Sequence, residues 1–295
     1  MRVLYATDGS ADARAAGEWL SRFPLPASAE IVVLAVVTLP HSALDIPTVR
    51  AYYDGLRGAA AAVAEQARAD LTRRWAASAR VVEGEPREEI SRLAEEWNAD
   101  LVVVGARGLG AVKGWLLGSV STAAVHHAPC PVLVVKGRPP GLRKAVIAVD
   151  GSPDSMRAAR FFAALPLDPT LVIRLVAVAE PPRIPVADPE LFAVPVPTAL
   201  RESAGAWRTR LEGVLRDLET ELRSKTANVE QSCILGNPAE EIIGAASEPQ
   251  IDLVVVGARG HGTMMRLVLG SVSERVLHHA PCSVLVVKRR PRPAG

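Results

Sequence analysis

The segment Leu101–Ser121, LVVVGARGLGAVKGWLLGSVS, returns almost unchanged as Leu253–Ser273, LVVVGARGHGTMMRLVLGSVS, an offset of 152 residues. The sequence around it is duplicated as well. His126–Cys130 (HHAPC) recurs as His278–Cys282, and the opening run that ends in Asp8-Gly9-Ser10 recurs as the run ending in Asp150-Gly151-Ser152, at an offset of 142. A period near 150 marks a duplicated domain, because solenoid repeats run at about 20–50 residues. The offset is still 142 when Val36 is matched with Val178 and is 152 when Pro86 is matched with Pro238, so the second copy has gained ten residues in between. The Pro-rich stretch Pro181–Pro197 is the expected place for them. The organisation read from these offsets is a first domain over 1–137, a linker at 138–143, a second domain over 144–290 and a tail at 291–295.

Within each copy, short Val/Leu/Ile runs alternate with helical spacing. In the first copy strands are expected at Val3–Thr7, Ile31–Val37, Ala79–Val82, Leu101–Val104 and Val132–Val135. Helices are expected at Ala13–Arg22 with Ser10 or Asp12 as N-cap, at about Arg57–Trp75, at Arg87–Trp97 behind Pro86, and at Ser119–His127 before Pro129. Continuous apolar strands alternating with helices specify a doubly wound parallel α/β sheet, five-stranded and Rossmann-like, in each half. Such sheets bind ligands beyond the carboxyl ends of their strands.

Two features converge on that edge. Asp8 and Asp150 stand where the first strand of each copy ends. A carboxylate there can accept from ribose hydroxyls, and Asp-Gly-Ser is equally a turn and cap sequence. The second feature is the spacing Gly105-x-x-Gly108, nine residues, Gly118-Ser119, repeated as Gly257-x-x-Gly260, nine residues, Gly270-Ser271. A strand, a glycine-rich loop and a helix start bring free backbone N–H groups and a positive dipole end to one point, the chemistry that holds phosphate. Glycines can also merely punctuate a surface loop, and it is the recurrence of the whole spacing that favours phosphate. Neither loop contains Gly-Lys-Ser/Thr, which excludes a P-loop, and the first turn lacks the Rossmann glycine fingerprint.

Composition narrows the partners. The 34 Lys and Arg against 32 Asp and Glu leave a net charge of +2, with no basic half, so no nucleic-acid partner is expected; the cationic tail Lys288, Arg289, Arg290, Arg292 reads as a solvated terminus. No apolar run is long enough to span a membrane, and Asp8 interrupts the N-terminus too early for a signal-peptide core, so a cytoplasmic protein is expected. Three cysteines, Cys130, Cys233 and Cys282, read as buried thiols. The pairs His126-His127 and His278-His279 point about 100° apart on a helix, which suits a helix C-terminus better than a shared metal ion. The five tryptophans, Trp207 among them, read as packing residues, with Trp115 in the loop as the exception.

The duplicated Gly-2x-Gly-9x-Gly-Ser pattern, the Asp-Gly-Ser opening and the His-Ala-Pro-Cys-x-Val-Leu-Val-Val ending resemble the universal stress protein family in its tandem form. The resemblance implies an ATP-binding sensor or regulator with one adenine nucleotide per domain, Mg²⁺ carried by the phosphates, no protein metal ligand, and a homodimer of the tandem chain. It also implies that the two fifth strands, Val132–Val135 and Val284–Val287, pair antiparallel. By the same resemblance Ala6 and Ala148 line the base pocket, Val36 and Val178 hold the adenine through backbone atoms, and Asp8 and Asp150 contact ribose or base. Val104 and Val256 flank the ribose, while Gly105, Gly108, Gly118, Ser119 and Val120, with Gly257, Gly260, Gly270, Ser271 and Val272, hold ribose and phosphates. Arg107 and Arg259, the duplicated cations of the loop, are counted with these nucleotide-binding residues; Lys113 has no counterpart, Met265 standing in its place. Two rival readings follow: slow ATP hydrolysis or phosphoryl transfer, and an interaction module with structural nucleotide whose contact surface is the Pro181–Pro197 loop.

Overall fold

The computed structural model describes residues 1–38, 47–109, 117–137, 141–180, 198–226, 228–260 and 269–289. Lys113, Trp115, His261, Met265, the Pro181–Pro197 stretch and the tail beyond Arg289 lie outside the described residues. In the first half the order is β1 (Arg2–Ala6), α1 (Ala11–Leu20), β2 (Glu30–Val37), α2 (Pro47–Leu71), β3 (Ala76–Glu83), α3 (Pro86–Glu96), β4 (Leu101–Gly105), α4 (Ser119–His127) and β5 (Val132–Val135). The second half repeats it: β6 (Lys144–Ala148), α5 (Pro153–Ala163), β7 (Val172–Ala179), α6 (Thr198–Arg223), β8 (Val229–Leu235), α7 (Pro238–Ala246), β9 (Leu253–Gly257), α8 (Ser271–His279) and β10 (Ser283–Val287).

The ten strands among the described residues form one sheet in the order β3-β2-β1-β4-β5-β10-β9-β6-β7-β8. Every neighbour pair is parallel except β5 with β10, which run antiparallel with Val134 opposite Val284, Leu133 opposite Leu285 and Val132 opposite Val286. These six side chains are fully buried, and alternation sends the two leucines to one face and the four valines to the other. The same two cores therefore run unbroken through the seam. Helices α1, α2, α5 and α6 cover the leucine face, with Trp19, Leu71, Phe162 and Leu215 in its core. The valine face is covered by α3, α4, α7 and α8, through Leu93, Val125, Ile242 and Val276. Pairing β5 with β10 also removes two edges that would otherwise be open to strand addition.

The seam is tied by side chains as well. Each half ends its fifth strand with a lysine that reaches the C-terminus of the other half's last helix. Lys136 Nζ donates to Leu277 O and Ala280 O, both at 2.7 Å, and Lys288 Nζ donates to Ala128 O at 3.1 Å. A cation at a helix C-terminus meets the negative end of the dipole and satisfies orphan carbonyls. Lys288 is thus buried, contrary to the solvated tail expected for it.

Helix α2 begins ten residues earlier than periodicity predicts, at Pro47 rather than Arg57. Gly55 and Gly58 cost about 1 kcal/mol each relative to Ala in a helix, which weakens the local signal. Both face open space, and the helix is held instead by packing of Ala60, Ala64, Ala67 and Leu71. Helix α6 buries Leu211, Leu215, Leu218 and Leu222 in the same pattern, at an offset of 151. The connections between second strand and second helix are 38–46 and 180–197. Nine of the ten extra residues therefore lie before α6, and the tenth lies between Leu222 and Val229, which match Leu71 and Ala77.

Candidate nucleotide site

In each half the chain leaves the central strands in opposite directions. From β1 it moves outward to β2, whereas β4 lies on the other side and continues to β5. The loops after β1 and β4 diverge to opposite faces, and a crevice opens between them at the carboxyl edge. A cavity of about 420 Å³ lies there, lined by Ala6 and Asp8 from the end of β1, Val36 from β2, and Val104, Gly105, Arg107 and Gly108 from β4 and its loop. Gly118, Ser119 and Val120 close it at the start of α4. The second half has the matching cavity, about 340 Å³, between β6 and β9. Ala148, Asp150, Val178, Val256, Gly257, Arg259 and Gly260 line it, with Gly270, Ser271 and Val272 at the start of α8. Both volumes fall in the range of small-molecule sites.

The first turn after β1 is built on Asp8. Its Oδ1 accepts from Ser10 N at 2.9 Å and its Oδ2 from Leu109 N at 2.8 Å, so one carboxylate closes the turn and also anchors the glycine loop. Gly9 between them has φ +74°, and Gly151 has φ +78°, a conformation that disfavours a side chain. Asp150 Oδ1 likewise accepts from Ser152 N at 2.9 Å. The turn reading of Asp-Gly-Ser therefore holds, and Asp8 and Asp150 still line the cavities, since a carboxylate offers about four acceptor positions. Ser10 is the N-cap of α1: its Oγ accepts from Ala13 N at 3.2 Å and donates to Arg107 O at 3.2 Å. Beneath this cap the buried Tyr5 hydroxyl, pushed up to about 12 by desolvation, donates to Ala13 O at 2.5 Å.

The glycines answer two separate demands. A Cβ on Gly105 would stand 2.6 Å from Asp12 C and 2.7 Å from Ala13 N, inside the backbone of α1; on Gly257 it would meet Asp154 and Ser155 in the same way. This pair lets a helix lie directly against a strand. A Cβ on Gly108 would stand 2.5 Å from Asp8 Oδ2, and on Gly260 2.6 Å from Asp150 Oδ2, so these two let the loop close on the carboxylate. Gly118 is different: it is the N-cap of α4 with ordinary extended backbone (φ −80°, ψ 157°), and no side chain caps the first turn. Gly270 holds the same position on α8 (φ −81°, ψ 155°), again without a side-chain cap. The first N–H groups of both helices thus face the cavities with their hydrogen-bonding capacity unclaimed by a capping side chain, at the positive end of the dipole. By contrast α1, α5 and α7 are capped by Ser10, Ser152 and Asn237.

The duplicated arginines are held. Arg107 Nε donates to Asp12 Oδ2 at 2.9 Å and Arg259 Nε to Asp154 Oδ2 at 3.1 Å, each carboxylate lying in the first turn of the helix after the first strand. The profile of the Universal stress protein family matches residues 1–136 and again 141–288. The chain belongs to the universal stress protein family. Among curated relatives it is similar to a universal stress protein of Mycobacterium tuberculosis, 30% identical over 203 residues that cover 65% of this chain and 62% of that protein. Another, from Mycolicibacterium smegmatis, is 32% identical over 200 residues, 65% of this chain and 63% of the relative. The match thus spans somewhat under two thirds of these relatives' length. Among solved structures, a universal stress protein from Archaeoglobus fulgidus shares the fold over 98% of both chains, with a TM-score of 0.70 at 24% identity.

This universal stress protein also places residues that sequence reasoning left aside. Trp207, on α6, lines the second cavity, as does Glu180 at the end of β7; Thr38 stands in Glu180's place in the first. His126 and His278, from different halves, each place Nε2 3.1 Å from the Glu274 carboxylate. Glu274 has no acidic counterpart in the first half, where Thr122 occupies its position, so this cross-seam contact is one-sided. The described residues contain no group of three or more His, Cys, Asp or Glu placed to hold a metal, and no helix among them is long and apolar enough to cross a membrane.

Proposed function

We propose that this universal stress protein is a nucleotide-binding regulator that holds one adenine nucleotide, ATP, in each half. The observation that carries the reading is the same in both halves: an uncapped helix N-terminus opens into a cavity that also contains a strand-end carboxylate and an apolar slot. The first-turn N–H groups of α4 and α8, with the Ser119 and Ser271 hydroxyls, are the donors for phosphate oxygens. Asp8 and Asp150 are the acceptors for ribose hydroxyls, and Val36 and Val178 border the base. The donor set is neutral, so Mg²⁺ fits this reading as a counter-charge that would be carried on the phosphates and water, with no protein ligand assigned to it.

A holding role agrees with the state of Arg107 and Arg259. Group transfer to or from a phosphate calls for a free cationic clamp and a positioned base. Here each loop arginine is engaged by a helix-start carboxylate. A homodimer of the tandem chain and a cytoplasmic location accompany the reading as proposals. The two domains are proposed as 1–137 and 144–290.

Isothermal titration of the full chain with ATP and Mg²⁺ tests this. Two sites are expected, with Gly118→Ala removing one and Gly270→Ala the other. An Ala at 118 keeps allowed backbone and meets Ala106 O at 3.2 Å and Arg107 Cα at 3.3 Å, so the glycine loop has to give by a few tenths of an ångström beside the start of α4 while the rest of the fold is untouched. Absence of binding, or an unchanged stoichiometry in the double variant, would sink the proposal.

A further inference from the structure

We propose that the two sites are unequal by construction: the second is a base-stacking site with Trp207 as its aromatic wall, and the first lacks that wall. This deepens the nucleotide reading above and rests on it.

The placement follows from topology. The glycine loop and the start of α8 lie at the β9 side of the second cavity, and Val176, Val178 and Glu180 lie at its β7 side, two strands away. Helix α6 packs on β7 and β8, so Trp207 stands at the end of the cavity opposite the phosphate donors. A nucleotide anchored by its phosphates at α8 extends its base toward that end. There the indole joins Val178, Val176 and Ile242. The Trp207 ring is half-buried, packs against the main core, and carries the Arg210 guanidinium 5.4 Å from its ring centre, which limits its rotation.

Among the described residues the first half has no equivalent. In the 151-residue register set by the buried faces of α2 and α6, Trp207 corresponds to Leu56. Neither Leu56 nor any other described residue of α2 lines the first cavity. The two cavities are otherwise of similar size, about 340 Å³ and about 420 Å³. Base stacking on an aromatic side chain is worth about tenfold or more in affinity and tolerates any flat base. The first site is therefore the looser one, filled at higher nucleotide concentration, and the protein reports two ranges of ATP rather than one.

The test uses full chains carrying Gly118→Ala, which leaves the second site, or Gly270→Ala, which leaves the first, titrated calorimetrically with ATP and Mg²⁺. In the Gly118→Ala background, Trp207→Leu is expected to weaken binding about tenfold, about 1.4 kcal/mol, and Trp207→Phe to stay within about threefold. Indole fluorescence should change on ATP addition in that background and lose the change in Trp207→Phe. In the Gly270→Ala background, Trp207→Leu leaves affinity unchanged and Leu56→Trp tightens it. Equal affinities in the two backgrounds, an ATP affinity indifferent to Trp207→Leu, or a loss in Phe as large as in Leu overturns the proposal while the nucleotide reading stands. No heat from any chain overturns both.

Discussion

Placing a methyl group on Gly105 is the sharpest probe of how this fold brings its first strand turn, its glycine loop and its helices to one edge. The Cβ of Gly105→Ala would stand 2.6 Å from Asp12 C and 2.7 Å from both Asp12 O and Ala13 N, where ordinary contact begins near 3.4 Å. The obstacle is helix backbone, and it cannot rotate away. Helix α1 has to retreat by about 0.8 Å from a strand whose Val102 and Val103 are fully buried, an overpacking that costs about 1–3 kcal/mol. At about 2–4 °C per kcal/mol for a chain of this size, the melting temperature falls by roughly 2–12 °C. Gly257→Ala meets the same obstacle in Asp154 and Ser155 and should lose a similar amount, additively, because the two sites share no partner. Gly118→Ala is the milder comparison: its Cβ meets Ala106 O at 3.2 Å, Arg107 Cα at 3.3 Å and Ser121 Oγ at 3.4 Å, a shift of a few tenths of an ångström in a loop, and it should cost less than about 1 kcal/mol. Thermal unfolding followed by circular dichroism, with urea midpoints as a second measure, separates the three. A Gly105→Ala chain as stable as wild type, or Gly118→Ala as damaging as Gly105→Ala, would refute the assignment of Gly105 to helix packing and Gly118 to the ligand.

Two further outcomes follow from named contacts. Ser10→Ala removes the cap on Ala13 N and the tie to Arg107 O, and should cost about 1 kcal/mol by urea denaturation; a loss below about 0.3 kcal/mol would mean that water replaces the cap fully. Stability should also rise with pH between about 8 and 9. Burial lowers Lys136 and Lys288 from 10.5 to about 8. Below pH 8 both states are protonated and the full desolvation penalty is present. Above it the folded chain releases the proton first, the unfolded chain binds more, and stability climbs. Cys282, raised by burial from 9.0 to about 11, opposes the trend above pH 9, where its unfolded thiol ionises first. Urea midpoints at pH 7.5 and 9 should differ in wild type and converge in Lys136→Met, Lys288→Met; an equal rise in that variant removes the lysines as its cause.

Much of this architecture was legible in one dimension because it is written twice. The Val-rich β4 and β9, the Ser10 cap, the bounds of α4 and β5, and the phosphate-type spacing are local signals, each carried by a few adjacent residues whose backbone preferences or periodicity need no distant partner. The antiparallel pairing of β5 with β10 followed from the family resemblance. The start of α2 was not legible, since Gly55 and Gly58 obscure it locally and only burial of Ala60, Ala64 and Ala67 against the sheet overrides them.

By itself the sequence determined the duplicated α/β unit and the placement of the glycine loops after the fourth strands. Tertiary structure alone decided what depends on separate elements meeting: the carboxylate of Asp8 on the Leu109 amide, Lys136 and Lys288 crossing the seam to cap the opposite helices, Glu274 between His126 and His278, and Trp207 in the wall of one cavity. The reason is range. Turn and strand preferences act over a few residues of chain, whereas these contacts join residues on different elements, and only the packed sheet brings them within hydrogen-bonding or van der Waals distance.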